Sequence, residues 1–234
     1  MISPENRNRV LIKFIDEQYV DSFVNEGLLF MNNIRIFREY ENADLGLRGD
    51  SNEGLIASYL SENTTLELNG HILEDIVDKV DLRAEHQGDI NIYCMTILSD
   101  KDILDAGQTG LYLSSEFLKL GNKAVFIGGN NITTFFSRVK KSIESNSSLY
   151  SAEDEFIVGK KITYVERMEH HNRLSIFNKF SEYSWQFEWR LALKQKNATS
   201  PLELRIGDLS DIVHISDTES LIKTALKLQQ AGDV

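Results

Sequence analysis

The sequence predicts an α+β fold, with a mixed or antiparallel β-sheet core and short flanking helices. Three features carry that prediction. Short runs rich in Val, Ile, Leu, Phe and Tyr recur along the chain, separated by Gly, Asn and Ser turns. Helical periodicity is confined to a few short segments, clustered toward the two ends. No regular alternation of strand and helix and no internal repeat is visible. With 234 residues, 41% of them hydrophobic, and only two prolines, the chain has the material for one core and reads as a single domain over 1–234.

Taken in order, Val10-Leu11-Ile12-Lys13-Phe14-Ile15 is a first strand. Asp16 or Asp21 caps the helix that follows. In it Tyr19, Val20, Phe23 and Val24 recur at helical spacing, and Gly27 stands where a C-terminal glycine stops a helix. Leu28-Leu29-Phe30-Met31 is a short apolar run, and Asn32-Asn33 a turn. Residues 42–54 then form a loop with three glycines and alternating charge. It is either a plain turn with a solvated ion pair or a ligand-facing loop presenting Arg48, Asp50 and Glu53, with Arg48 suited to a phosphate.

Residues 55–60 and 65–73 look like strands of a meander, with Asn69-Gly70 as a hairpin signal. Residues 90–98 are a buried strand with Ile92, Cys94 and Thr96 on one face and Tyr93, Met95 and Ile97 on the other. Cys94, flanked by apolar residues, reads as packing rather than as a nucleophile. Residues 99–110 are a loop with helical character. Ser114 or Ser115 caps a short helix over 116–120, stopped by Gly121. A buried strand at 123–127 leads to Gly128-Gly129, which lacks the spacing of a phosphate loop. Residues 132–143 form an amphipathic helix with Phe135, Phe136, Val139 and Ile143 on one face.

A polar loop over 145–154 precedes one or two strands in 156–165, and 174–180 reads as a short helix. Glu169-His170-His171 lacks the spaced partners of a zinc site, so no metal is expected. Two strands, 202–206 and 212–215, lead to a last helix, capped by Asp217 or Thr218, that runs through Leu221, Ile222, Ala225 and Leu228.

Both tryptophans lie in the stretch from Tyr183 to Leu193. Read as one strand, it places Trp185, Phe187, Trp189, Leu191 and Leu193 on one face. Ser184, Gln186, Glu188 and Arg190 fall on the other. The apolar row anchors; the polar row is a hydroxyl, an amide, a carboxylate and a guanidinium pointing the same way. A half-exposed strand gives the same alternation.

A formal charge of −11 opposes passive binding to polyanions. Arg7, Arg9 and Lys13, and again Arg138, Lys140 and Lys141, are either solvated faces or a local basic groove. One cysteine permits no internal disulfide and fits a reducing cytoplasm, and no apolar run approaches the ~18 residues of a membrane span. The polar N-terminus lacks the apolar core of a signal peptide. The expected location is therefore the cytoplasm, with no membrane partner.

Two resemblances follow from particular residues. The opening Lys13-Phe14, the helix with Tyr19 and Phe23, and then Glu26-Gly27-Leu28-Leu29 resemble the first unit of ADP-ribosyltransferases of the DNA- and RNA-modifying toxin type. Gln186-Phe187-Glu188 resembles the Q/E-x-E element of that superfamily. Lys13 stands where those proteins carry a histidine. More of the chain is similar to a widespread bacterial family of uncharacterised function that often neighbours phage-defence genes. That similarity rests on the opening unit, the loop from Gly49 to Gly54, Cys94-Met95-Thr96, and Trp185-Gln186-Phe187-Glu188-Trp189-Arg190-Leu191. The latter family carries an E-x-E-W-R strand.

The first resemblance implies an ADP-ribosyltransferase-like fold and NAD as substrate. Glu188 would then lie under the ribose and offset the positive charge of an oxocarbenium-like state. Gln186 would orient the acceptor, and Thr96 the ribose. Lys13, Phe14 and Tyr19 would belong to the NAD pocket, Arg48 would meet the pyrophosphate, and Arg190 would hold Glu188 ionised or bind a phosphate. The resemblance points to a nucleic-acid acceptor, the net charge to a protein one. The expectation is a toxin or antiviral effector, with an antitoxin or other defence-system protein as a further partner. Two alternatives share the site: a non-catalytic module binding a nucleotide or a protein, favoured by Lys13, and hydrolysis of NAD without an acceptor. A structural Glu188–Arg190 ion pair is the plain reading of the same residues.

Overall fold

The computed structural model describes residues 3–43, 52–73, 78–152 and 158–228. Strand β1 (Asn8–Ile15) leads through a 3-10 turn to helix α1 (Val20–Glu26), strand β2 (Leu28–Asn33) and helix α2 (Ile34–Ala43). Strands β3 (Leu55–Leu60), β4 (Leu66–Leu68), β5 (His71–Leu73) and β6 (Lys79–Arg83) follow, then the long β7 (Asn91–Ser99) and helix α3 (Asp100–Asp105). Strand β8 (Lys123–Gly128) and helix α4 (Asn131–Glu144) precede β9 (Leu149–Ser151), β10 (Gly159–Lys161), β11 (Thr163–Val165) and β12 (Asn178–Phe180). The chain closes with β13 (Glu188–Gln195), β14 (Leu202–Arg205), β15 (His214–Asp217) and helix α5 (Thr218–Ile222). The class is α+β, mostly antiparallel, with few and short helices; β11 and β12 run parallel. Among the described residues, no helix is long and apolar enough to cross a membrane.

Nine strands form one sheet, in which β10, β13, β7, β1, β8 and β15 are successive neighbours. Its centre is β7. Along one edge, Asn91 to Thr96 pair with β13. Along the other, Thr96 to Ser99 pair with β1, whereas Asn91 and Ile92 pair with β2. The neighbouring strands thus diverge at Tyr93, Cys94 and Met95, and the sheet is split there. The ammonium of Lys13 reaches into the split and donates to the Cys94 carbonyl at 3.0 Å.

Period-two alternation sorts β7 as the sequence indicates. Tyr93, Met95 and Ile97 join Trp189, Leu191 and Leu193 of β13 in the main core, which α1 and α4 cover with Phe23, Val24, Phe135 and Val139. The opposite face is divided. Ile92, Cys94 and Ala192 pack with Ile34, Ile162 and Phe177, while Leu98, Ile12 and Phe14 pack with Phe117 and Leu221. Thr96 falls at the break between these two clusters, next to Glu188 in register. A polar residue at that position interrupts the apolar cover and leaves room for a cleft.

Gly27 shows how sequence fixes the first turn. It ends α1 in the left-handed conformation at φ 61°, and its N–H donates to Ser22 O. A Cβ there would lie 2.1 Å from the Gly207 carbonyl oxygen, so a side chain is excluded by strain and by space.

Several elements differ from the sequence-based reading. Asn32 and Asn33 end β2 rather than forming a turn, and the Asn33 side chain accepts from Ile36 N at the start of α2. β3 pairs with β6, not with the residues that follow it, while β4 and β5 form their own hairpin at Asn69-Gly70. The loop expected over 145–154 contains β9, and the helix expected over 174–180 is a turn followed by β12. Asn178 explains the latter: its side chain accepts from Ser175 N, a local turn that competes with helix. The final helix is shorter than its apolar pattern, because Leu226 leaves it to pair with Leu111.

Candidate functional site

The long strand expected from Tyr183 to Leu193 begins only at Glu188. Ser181–Gln186 is a 3-10 turn, and Phe187 is left-handed at φ 45°. Trp185 and Phe187 accordingly pack with the cluster around Phe14 and Phe117, whereas Trp189 packs in the main core. Phe117 stacks on Phe14 with centroids 4.1 Å apart and meets Trp185 edge-on at 5.0 Å. The aromatic anchors therefore grip Glu188 from both sides of the sheet rather than from one face. From Glu188 onward the alternation holds.

Over the split in the sheet lies a cavity of about 290 Å³. Lys13, Phe14 and Tyr19 line it from β1 and the turn after it; Thr96 lines it from β7. Gln186 from the 3-10 turn, and Glu188 and Arg190 from β13, complete the set. Seven of the eight singled-out residues share this cavity, and Arg48 lies outside the described residues, as does Asp50.

The polar floor is a buried four-charge cluster. The Arg190 Nε donates to Glu188 Oε1 at 2.7 Å, and its two terminal nitrogens donate to Glu53 at 2.7 and 2.6 Å. One of them also donates to Ile176 O at 2.6 Å. Lys179 Nζ donates to Gln186 Oε1 at 2.9 Å and to Glu188 Oε2 at 3.2 Å, and stands 3.6 Å from Glu53. Two carboxylates thus balance two cations. None of these four side chains is more than 8% exposed. Such a set is tolerable out of water only because each member has opposite charges and hydrogen bonds within reach.

Burial alone would raise the Glu188 carboxyl; the charges of Arg190 and Lys179 and the bonds from Cys94 and Arg190 outweigh it and bring the pKa down to about 2. Arg190 is held protonated by Glu188 and Glu53 against the opposing effect of burial. Cys94 is pushed up to about 12, first by burial and then by the Glu188 charge. Burial, followed by the same carboxylate, raises the Tyr164 phenol, whose oxygen accepts from Glu188 N at 2.9 Å. Glu188 is thus a fixed anion across the physiological range. A carboxylate so acidic is a poor general base and a good electrostatic partner for a developing cation.

The remaining residues hold the frame. The Thr96 hydroxyl donates to Gln186 O at 2.9 Å and pins the 3-10 turn to β7. Gln186 reaches the cluster through Lys179, not through strand alternation. Lys13 lies 4.2 Å over the Tyr93 ring. Tyr19, half exposed, stands at the mouth. Of the basic clusters noted in the sequence, Arg7 and Arg9 pair with Asp100, Arg138 with Asp211, and Lys140 with Glu144. Among the described residues, no group of three or more His, Cys, Asp or Glu side chains is arranged to hold a metal.

Sequence reasoning missed Lys179 and Tyr164, and named Glu53 only in the ligand-facing one of two readings of its loop. A signal existed for a further cation. A strand that turns Glu188 and Arg190 to one buried face, after an acidic loop, needs compensation for any second carboxylate. Its position in the chain carries no such signal. Comparison with family models, with curated proteins and with solved structures gave no match.

Proposed function

We propose that the protein is an NAD-dependent ADP-ribosyltransferase-like effector whose reacting centre is the cleft over the split sheet. The single observation that supports this most is the fixed Glu188 anion at the floor of a cavity walled by Phe14, Phe117 and Trp185. A flat heterocycle suits those rings. The volume is at the lower end of small-molecule sites and suits a nucleoside-sized portion of the substrate. In this reading the bond between ribose C1′ and the nicotinamide nitrogen breaks, and nicotinamide leaves with the electron pair. The acceptor then supplies the pair for the new bond at C1′ and gives up its proton to solvent water. Glu188 offsets the positive charge on the ribose, and Arg190 and Glu53 hold it in place. Lys179 ties Gln186 to the same point, so the amide is positioned toward whatever receives the sugar. Water takes that part if no acceptor is bound, which gives NAD hydrolysis.

One observation favours a second reading, a non-catalytic nucleotide- or protein-binding module of a phage-defence system. Both Glu188 oxygens already carry a hydrogen bond from a cation. The two readings separate when the protein is incubated with NAD labelled in its ADP-ribose portion, together with RNA, DNA or lysate proteins. Covalent label on one of these supports transfer and names the acceptor class. NAD binding with neither label transfer nor nicotinamide release supports the module.

A further inference from the structure

The split in the sheet leaves main-chain groups without a neighbouring strand. In an antiparallel ladder, successive residues turn their N–H and C=O to opposite edges. The Ile97 N–H donates to Phe187 O at 2.8 Å, so the odd positions of β7 face the β13 side. Cys94 therefore turns its N–H and C=O the other way, into the split. Among the described residues, neither β1 nor β2 places a residue in register with it. The flanking β2 obeys the same alternation. The Ile206 N–H donates to Gly27 O at 3.1 Å, which turns Leu29 and Met31 toward β14 and Phe30 toward the split. The Cys94 carbonyl accepts from Lys13 Nζ at 3.0 Å, and a carbonyl has two lone pairs, so it can accept once more. The Cys94 N–H is the donor of the same edge. Cys94, Phe30, Phe14 and Trp185 all line the cavity.

An edge that offers N–H and C=O from one residue pairs with a group that carries C=O and N–H side by side. In a sheet that group is a residue of the next strand; in a small ligand it is a carboxamide or the lactam edge of a ring. The rings of Phe14, Phe117 and Trp185 in the same cavity favour a flat ligand. Thr96, two positions along β7 and so about 7 Å from Cys94, pairs in register with Glu188. We propose that the split reads the amide edge of a planar ring through the main chain of Cys94 and sets that ring beside Glu188. Two sources share this chemistry: the nicotinamide of NAD, and the lactam edge of a guanine base in a nucleic-acid acceptor. The inference deepens the ADP-ribosyltransferase reading by naming how the reacting centre takes hold of a ring. It rests on that reading for transfer but not for binding.

Cys94 is the only cysteine of the chain, so protein labelled with nitrogen-15 cysteine gives one main-chain amide signal, from this position. The test follows that signal in the full chain by proton–nitrogen correlation NMR during titration with nicotinamide and with guanosine. Methyl nicotinate and N1-methylguanosine, which keep the carbonyl and lack the adjacent N–H, are run beside them. The expected result is that at least one amide-edge ring moves the Cys94 proton downfield. That ring should bind about three- to ten-fold tighter than its counterpart, the range of one hydrogen bond, and it names the source. A signal that neither ring moves, or equal binding by each ring and its counterpart, would overturn the proposal. If NAD cleavage depends on Glu188 while the Cys94 signal stays still, only this inference falls. If the signal moves as expected and NAD is not cleaved, only the catalytic reading falls.

Discussion

Arg190 and Glu53, 137 positions apart in sequence, meet in a two-pronged ion pair at 2.6 and 2.7 Å in which neither side chain is more than 4% exposed. This contact ties the turn before β3 to the centre of the main sheet. It also frees the Arg190 Nε to face Glu188. The geometry of the candidate catalytic carboxylate therefore depends on a residue from a distant loop.

Glu53→Gln is expected to cost about 3–5 kcal/mol of stability, because it leaves a buried cluster with one uncompensated cation. Urea unfolding followed by tryptophan fluorescence measures this. Arg190→Lys should be nearly as damaging, since a single ammonium cannot serve Glu53 and Glu188 together. A loss under 1 kcal/mol for Glu53→Gln would mean that the cluster is not closed as described.

Acid should weaken the fold through Glu188. Its folded pKa of about 2 lies below the ordinary 4.5, so its ion pairs add stability that is complete above that ordinary value. That contribution falls away as pH drops from about 4.5 toward 2, by on the order of 3 kcal/mol. Glu188→Gln should flatten the acid limb of a stability–pH profile over this window. An unchanged slope in the variant would place the acid sensitivity elsewhere.

How far this cluster could be read in the sequence depends on range. The strands β1, β7 and β8, the helices α1 and α4, and the Gly27 stop are local patterns, and the structure has each of them. Seven of the eight singled-out residues line one cavity, and strand alternation accounts for Thr96, Glu188 and Arg190 among them. The left-handed Phe187 and the 3-10 turn before it were not legible: the alternation of Trp185, Phe187 and Trp189 imitates a strand, while Thr96 from β7 holds the turn. Lys179 was lost because 174–180 has helical spacing, and only the pairing of β12 with β11 makes it extended. Arg48 lies outside the described residues.

Cys94 should be inert in the folded protein. With its pKa near 12, its alkylation by iodoacetamide at pH 8 is expected to run at least about 100-fold slower than in urea. Because the Glu188 charge raises that pKa, Glu188→Gln should label faster than the parent protein. Slower labelling of the variant would mean that the two side chains do not interact.

Gly27→Ala and Gly70→Ala separate strain from space. Both positions have positive φ, at 61° and 83°, but a Cβ at Gly70 meets nothing within 4 Å. Gly70→Ala should cost only the conformational strain of about 1–2 kcal/mol. Gly27→Ala adds the collision with Gly207 and should lower the melting temperature further. Equal effects would deny the close approach of the two chain segments.

The most direct measurement is nicotinamide release from NAD by the purified protein, beside Glu188→Gln and with the fold of both checked by circular dichroism. The cleft reading predicts release by the parent protein, and a loss of at least about 100-fold in the variant. Equal release by the two proteins, or none from the parent under any addition, would contradict Glu188 as the catalytic carboxylate.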